Sequence, residues 1–308
     1  MSDFEDKLIQ TLSFFHIFNH PLTPQELHRF LWKKRVSFSK FQEKLSEIDG
    51  PLQFKDGFYY LKQEDIDNRQ SRVRLVKKKT EIAKKAARKL TWIPFLKAVF
   101  ICNTLASKTV DEDSDIDFFI IAQKDRVWLV RFFANLILKL FRLRVGEDKY
   151  ADNICLSFFS SADKLDFSNI TIDQPDVYLA YWIKQLYPLY DPDNFYKKMS
   201  QANGWVDEYL PNHSDSKSII EKDRVELSWF ADKIKSVLAA MWSTSYGDLL
   251  ESQSRKLQEY RLRSYLGGDY EDNEPHVIIK KSMIKLHKED QREHFKRKWQ
   301  QTFNKYLS

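Results

Sequence analysis

Apolar positions recur every three or four residues over the first third of the chain, and the pattern becomes extended soon after Pro94. Leu8, Leu12, Phe15 and Phe18 make one helical face, which His20-Pro21-Leu22 ends because proline lacks the amide hydrogen that a helix interior uses. Thr23-Pro24-Gln25-Glu26 starts a second helix, with Thr23 as N-cap, Pro24 at the first helical position and Glu26 as the reciprocal capping partner. Phe38, Phe41, Leu45 and Ile48 predict a third helix over 37–48. Leu52-Gln53-Phe54, the Lys55-Asp56-Gly57 turn and Phe58-Tyr59-Tyr60-Leu61 predict a hairpin. A long helix is expected over 64–90, with Val73, Val76, Ile82, Ala83, Ala86 and Leu90 as a narrow apolar stripe, and Thr91-Trp92-Ile93-Pro94 ends it.

Strands are expected at 96–102, 116–122 and 154–160, with a helix over 127–143 between the second and third. After Pro175 the spacing reads as helical for the rest of the chain, over 177–190, 194–210, 225–266 with breaks, and 277–303. Gly267-Gly268-Asp269 reads as a surface loop. The expected fold is α+β and predominantly helical. Its units are a region over 1–63 that resembles a winged helix, a basic linker helix over 64–93, a mixed sheet with helices over 94–173, and a helical region over 174–308.

Charge changes this picture. The formal net charge is +6, and residues 69–97 hold eleven Lys or Arg against the single acid Glu81, so nucleic acid or a nucleotide is the expected kind of partner. That basic helix could follow a phosphate backbone or serve as a solvated connector. The third helix offers Ser39, Lys40, Gln42, Glu43, Lys44 and Glu47, a mixed set better suited to protein contact than to reading base edges. Cys102 and Cys155 sit in apolar runs, which predicts two reduced core thiols rather than a disulfide or a metal site. The start of the chain lacks a secretion-signal pattern, and the apolar stretch 127–145 is broken by Arg131, Lys139, Arg142 and Arg144, so no membrane contact and a cytoplasmic location are expected.

The chemistry concentrates in one segment. Phe100-Ile101-Cys102-Asn103-Thr104 runs from a strand into a sharp turn, and ten residues separate Thr104 from Asp115-Ile116-Asp117-Phe118. Strand alternation places Asp115 and Asp117 on one face and Ile116 and Phe118 on the other. Two carboxylates so placed repel unless a cation lies between them. Asp111, Asp113, Asp115 and Asp117 also alternate like a calcium loop, but Ile116 stands where that loop needs glycine and Ala122 where it needs glutamate. The histidines show no metal-ligand spacing. Tyr178, Tyr181, Trp182 and Tyr187 fall at helical spacing and read as core, and the run from Lys285 to Arg292 reads as a charged helix surface.

Residues 99–121 resemble the polymerase-beta-like nucleotidyltransferase superfamily, whose motif is a hydrophobic residue, Gly, Gly or Ser, a spacer of about ten residues, then Asp, hydrophobic, Asp or Glu, hydrophobic. The resemblance implies that Asp115 and Asp117 bind Mg²⁺, that Asn103 and Thr104 position a nucleoside triphosphate with help from Lys108, and that a nucleoside monophosphate passes to an acceptor not identified by sequence. Two positions depart from the pattern. Asn103 stands where the family has glycine, and Ser157 occupies the expected place of a third carboxylate, Asp152 being the nearest acid. The second reading is therefore a degenerate nucleotidyltransferase fold that binds nucleotide or nucleic acid in a regulatory role, and the third is a helical interaction scaffold.

Overall fold

The computed structural model describes residues 2–48, 52–62, 64–146, 150–213, 223–266, 277–286 and 290–307. Helix α1 (Asp3–His16) starts at a reciprocal cap between Ser2 and Glu5, and α2 (Pro24–Arg29) at the same device between Thr23 and Glu26. Ser37 caps α3 (Phe38–Ser46). Strands β1 (Gln53–Lys55) and β2 (Phe58–Tyr60) pair antiparallel across Asp56 and Gly57, whose positive φ values of 53° and 84° suit a two-residue hairpin turn. The long helix α4 (Glu64–Leu90) follows. Its buried stripe is narrower than the spacing suggests: Ala83, Ala86 and Leu90 are buried, whereas Val73 is exposed.

Six strands form one mixed sheet. Alternation anticipates β3 (Leu96–Ile101), β4 (Ile116–Ala122) and β5 (Ile154–Ser161), with β3 running into the short helix α5 (Asn103–Ala106). It does not anticipate β6 (Tyr187–Tyr190), β7 (Val277–Ile279) and β8 (Met283–Leu286), which correct the all-helical reading of the chain beyond Pro175. The order is β6-β3-β4-β5-β8-β7, and only the β4–β5 pair is parallel. Pro188 makes a helix through 190 untenable, and its missing amide hydrogen suits an edge strand. β7 and β8 are short apolar runs whose extended state depends on pairing with distant β5, which no local spacing reveals.

Helices cover both faces of this sheet. Ile116, Phe118 and Ile120 pack against the end of α4 and against α6 (Val127–Leu140), whose Trp128, Val130 and Leu138 are fully buried. α6 has no side-chain cap of its own. Glu251, from the helix pair α9 (Trp229–Met241) and α10 (Ser245–Leu266), accepts from the Trp128 and Leu129 amides at 3.0 and 2.7 Å. On the other face Phe100, Phe119 and Phe158 meet α7 (Val177–Gln185), α8 (Phe195–Ala202), α1 and α11 (Arg292–Leu307). Phe14 stacks on Tyr181 at 4.1 Å between ring centres, and the Trp299 indole donates to the Gln10 carbonyl at 2.8 Å. Each buried ring adds about 1.5–3 kcal/mol. The three N-terminal helices thus share one core with α7 and α11, and the sheet face that carries Asp115 and Asp117 is roofed by helices. No helix among the described residues is long and apolar enough to cross a membrane.

Candidate functional site

The start of β4 is fixed from both sides. The Ile116 amide donates to the Asn153 carbonyl at 2.8 Å, and the Cys102 amide donates to the Asp117 carbonyl at 3.1 Å. Basic residues of α4 hold the loop that leads into it. Arg72 pairs with Asp111 at 3.0 Å. Fully buried Lys79 donates to the Ser114 and Glu112 carbonyls at 2.6 and 3.2 Å and to Asp152 at 2.9 Å. Lys78 also pairs with Asp152. Part of the positive charge of α4 is therefore used inside the molecule, and Asp152, the nearest acid in the turn ahead of β5, is occupied by two lysines.

Donor atoms of Asp115, Asp117 and Cys155 lie within 4.8 Å of one another, a set that could hold a metal ion. The pairing explains why. Asp117 stands opposite Cys155 and Phe119 opposite Phe158, so β5 carries one extra residue over this stretch. Such a bulge turns two successive side chains toward one face. Ser157 donates to Asp117 at 3.2 Å, while Phe158 lines the adjoining cavity. Ser157 thus stands beside Asp117. Cys155 corrects the expectation of a plain core thiol, because it shares the face of the aspartates and its sulfur lies within 4.8 Å of both carboxylates. Cys102 remains a core thiol, 1% exposed.

The electrostatics follow from burial. Asp117 is 9% exposed, and loss of water with Asp115 beside it pushes its carboxyl up to about 6. Burial also raises Asp115. Hydrogen bonds from Asn103, Cys155 and Ser157 oppose the rise at Asp117. Among the described residues neither carboxylate has an ion-pair partner within 4.0 Å. Asn103 adopts φ 53°, the left-handed conformation for which glycine would be the usual choice, and joins the site to its roof. Its side-chain Oδ1 accepts from the Trp182 indole at 2.8 Å, and its side-chain amide donates toward Asp117.

A cavity of about 230 Å³ opens beside Asp117, Asn103 and Thr104. Phe158, Tyr178 and Trp182 give it flat apolar walls, and Lys285, Asp290 and Arg292 form the far side. Asp176 caps α7 by accepting from the Leu179 amide at 2.9 Å, and accepts from Arg292 at 2.8 Å. Asp290 pairs with Arg292 at 2.7 Å and with Lys285 at 2.8 Å.

No family model, curated protein or solved structure matches the chain.

The structure therefore brings Asp115, Asp117, Asn103 and Thr104 together, and turns Lys108 elsewhere. Lys108 pairs with Glu26 at 3.5 Å and borders a neighbouring cavity. Tyr178 and Trp182 are wall residues as well as packing residues, and Lys285 and Arg292 belong to the site rather than to an exposed helix surface. Cys155 was within reach of the sequence, since period-two alternation puts it on the face of Ser157. Lys285 and Arg292 carried no such signal, because only the pairing of β8 with β5 delivers Lys285 and only the packing of α11 beside α7 delivers Arg292.

Proposed function

We propose that this chain is a metal-dependent nucleotidyltransferase. In this reading residues 99–121 form its metal-binding hairpin, the N-terminal helices and hairpin are winged-helix-like, and the substrates are a nucleoside triphosphate and an unidentified acceptor. The observation that carries the reading is the pair of half-buried Asp115 and buried Asp117, the latter at the mouth of a cavity, with no ion-pair partner within 4.0 Å of either among the described residues. A folded protein rarely leaves such a pair uncompensated, and a divalent cation with substrate phosphates completes it. Magnesium suits the two carboxylates, because it binds hard oxygens and commonly takes only one or two from protein. When bound it neutralises phosphate charge and favours the ionised acceptor hydroxyl. Asp115 and Asp117 hold the cation, Thr104 and the Asn103 turn border the phosphates, and Tyr178 and Trp182 flank the base. The acceptor oxygen bonds to the α-phosphorus as the bond to the pyrophosphate oxygen breaks.

A second reading, nucleotide binding without turnover, is favoured by one observation. The places facing the aspartates across β5 carry Cys155 and Ser157, and no third carboxylate lies in the cluster among the described residues. Nucleic acid is a further proposed partner, through the winged-helix-like region and the basic helix within 69–97, where Arg74, Lys77, Lys85 and Arg88 are exposed.

Calorimetric titration with ATP, CTP, GTP and UTP, with and without Mg²⁺ or Mn²⁺, tests the metal assignment. Metal-dependent binding should be lost in Asp115→Ala/Asp117→Ala, and equal binding by both proteins would sink it. Transfer of labelled nucleoside monophosphate to protein or RNA acceptors separates the two readings, since binding without any transfer leaves only the second.

A further inference from the structure

We infer that Cys155 is the third protein ligand of the centre, so that it takes a thiophilic divalent ion of the zinc or cobalt kind in preference to magnesium. This rests on the reading of Asp115 and Asp117 as cation ligands and changes which cation they share. Three features of the fold support it. The Cys155 sulfur and the two carboxylates lie within 4.8 Å of one another, so a single ion can touch all three. Cys155 pairs in register with Asp117 on the adjacent parallel strand, which fixes the sulfur by backbone hydrogen bonding rather than by a mobile loop. Ser157, which donates to Asp117 at 3.2 Å, is neutral, so the sulfur is the third anionic donor of the cluster once its proton departs.

Donor chemistry then sets the preference. Carboxylate oxygens alone suit magnesium and calcium, whereas a thiolate added to two carboxylates favours zinc-like ions, which bind sulfur strongly. Coordination releases the thiol proton to solvent, and the ion's charge offsets the repulsion that the two aspartates impose on a bare thiolate. Cys102 is not part of the donor set, being 1% exposed within the aromatic core.

The test is a Co²⁺ titration of the full chain, followed by near-ultraviolet thiolate-to-cobalt absorption. It is run beside Cys155→Ser, Cys102→Ala, Cys155→Asp and Asp115→Asn/Asp117→Asn, with far-ultraviolet circular dichroism on each metal-free protein. The wild type and Cys102→Ala should develop the band at one thiolate per chain, and Cys155→Ser should not. Cobalt affinity should fall by at least the ~10–100-fold that losing even an outer partner of a metal ligand costs, while magnesium affinity changes by less than about threefold. Cys155→Asp, which restores an all-oxygen set, should shift the preference toward magnesium. Cobalt bound through the aspartates without the band, or a band that persists in Cys155→Ser, overturns the thiolate ligand and leaves the carboxylate reading standing. A wild type that binds neither Co²⁺ nor Mg²⁺ overturns both.

Discussion

Two walls of one cavity treat their carboxylates in opposite ways. On the far wall, burial alone would raise Asp290, but Arg292 and Lys285 hold it well below the ordinary carboxylate range. Asp176 is tied to the same arginine. On the near wall Asp115 and Asp117 have no ion-pair partner within 4.0 Å among the described residues, and Asp117 is pushed up to about 6. The far wall supplies counter-ions to its carboxylates, whereas the near wall supplies none within 4.0 Å to Asp115 and Asp117 among the described residues, which is why the near wall reads as a place for an external cation.

The contrast can be broken from either side. The largest effect is expected from Arg292→Met, which removes the ion pair of Asp176 and one of the two of Asp290; breaking a buried pair from one side costs about 3–5 kcal/mol. A fall of that size should appear in the urea midpoint, and a change below about 1 kcal/mol would show that the far wall is not held by its charges.

The near wall should respond to pH with the opposite sign. Asp117 is raised from 3.8 to about 6, so folded and unfolded states are both protonated at low pH, and the folded state is penalised as pH rises through 6. Metal-free protein should lose about 1–3 kcal/mol between roughly pH 4 and pH 6, and Asp117→Asn should abolish that loss. The depressed Asp290 contributes stability that is present above its ordinary value and is lost as pH falls through its folded one. Urea midpoints in chelator at several pH values separate the two. Identical profiles for wild type and Asp117→Asn would remove the near wall's distinction.

The smallest effect sharpens the boundary of the site. Lys108 is half exposed and paired with Glu26, so Lys108→Ala should change stability by no more than about 1 kcal/mol. Nucleotide affinity should stay unchanged in calorimetry. A marked drop in affinity would return Lys108 to the role the sequence suggests for it.

How far the sequence could be read depended on the range of the interactions involved. Thr23-Pro24 with Glu26, the Asp56-Gly57 turn and the alternation through β4 act within a few residues, and each appears at the expected place. The pairing of Asp115 with Asp117 on one face follows from the same short-range rule. What escaped was long-range. Strand β6 continues the apolar spacing of α7 without a break, and β7 and β8 gain extended structure only beside β5. The role of Cys155 escaped for a different reason. An apolar run makes a thiol look like core, and although alternation puts Cys155 on the face of Ser157, only the pairing of β5 with β4 sets it opposite Asp117.

The strand order also bears on synthesis. β8 and α11, which bring Lys285 and Arg292, follow β4 and β5 by a long stretch of chain. At translation rates of about 5–20 residues per second, the acidic wall emerges several seconds before the basic one. During that interval the edge of β5 that β8 will cover, with Phe158 and Phe159 along it, is open to pairing with another nascent chain. A ribosome stalled before β7 would therefore release a product prone to associate through β5 and lacking the far side of its cavity.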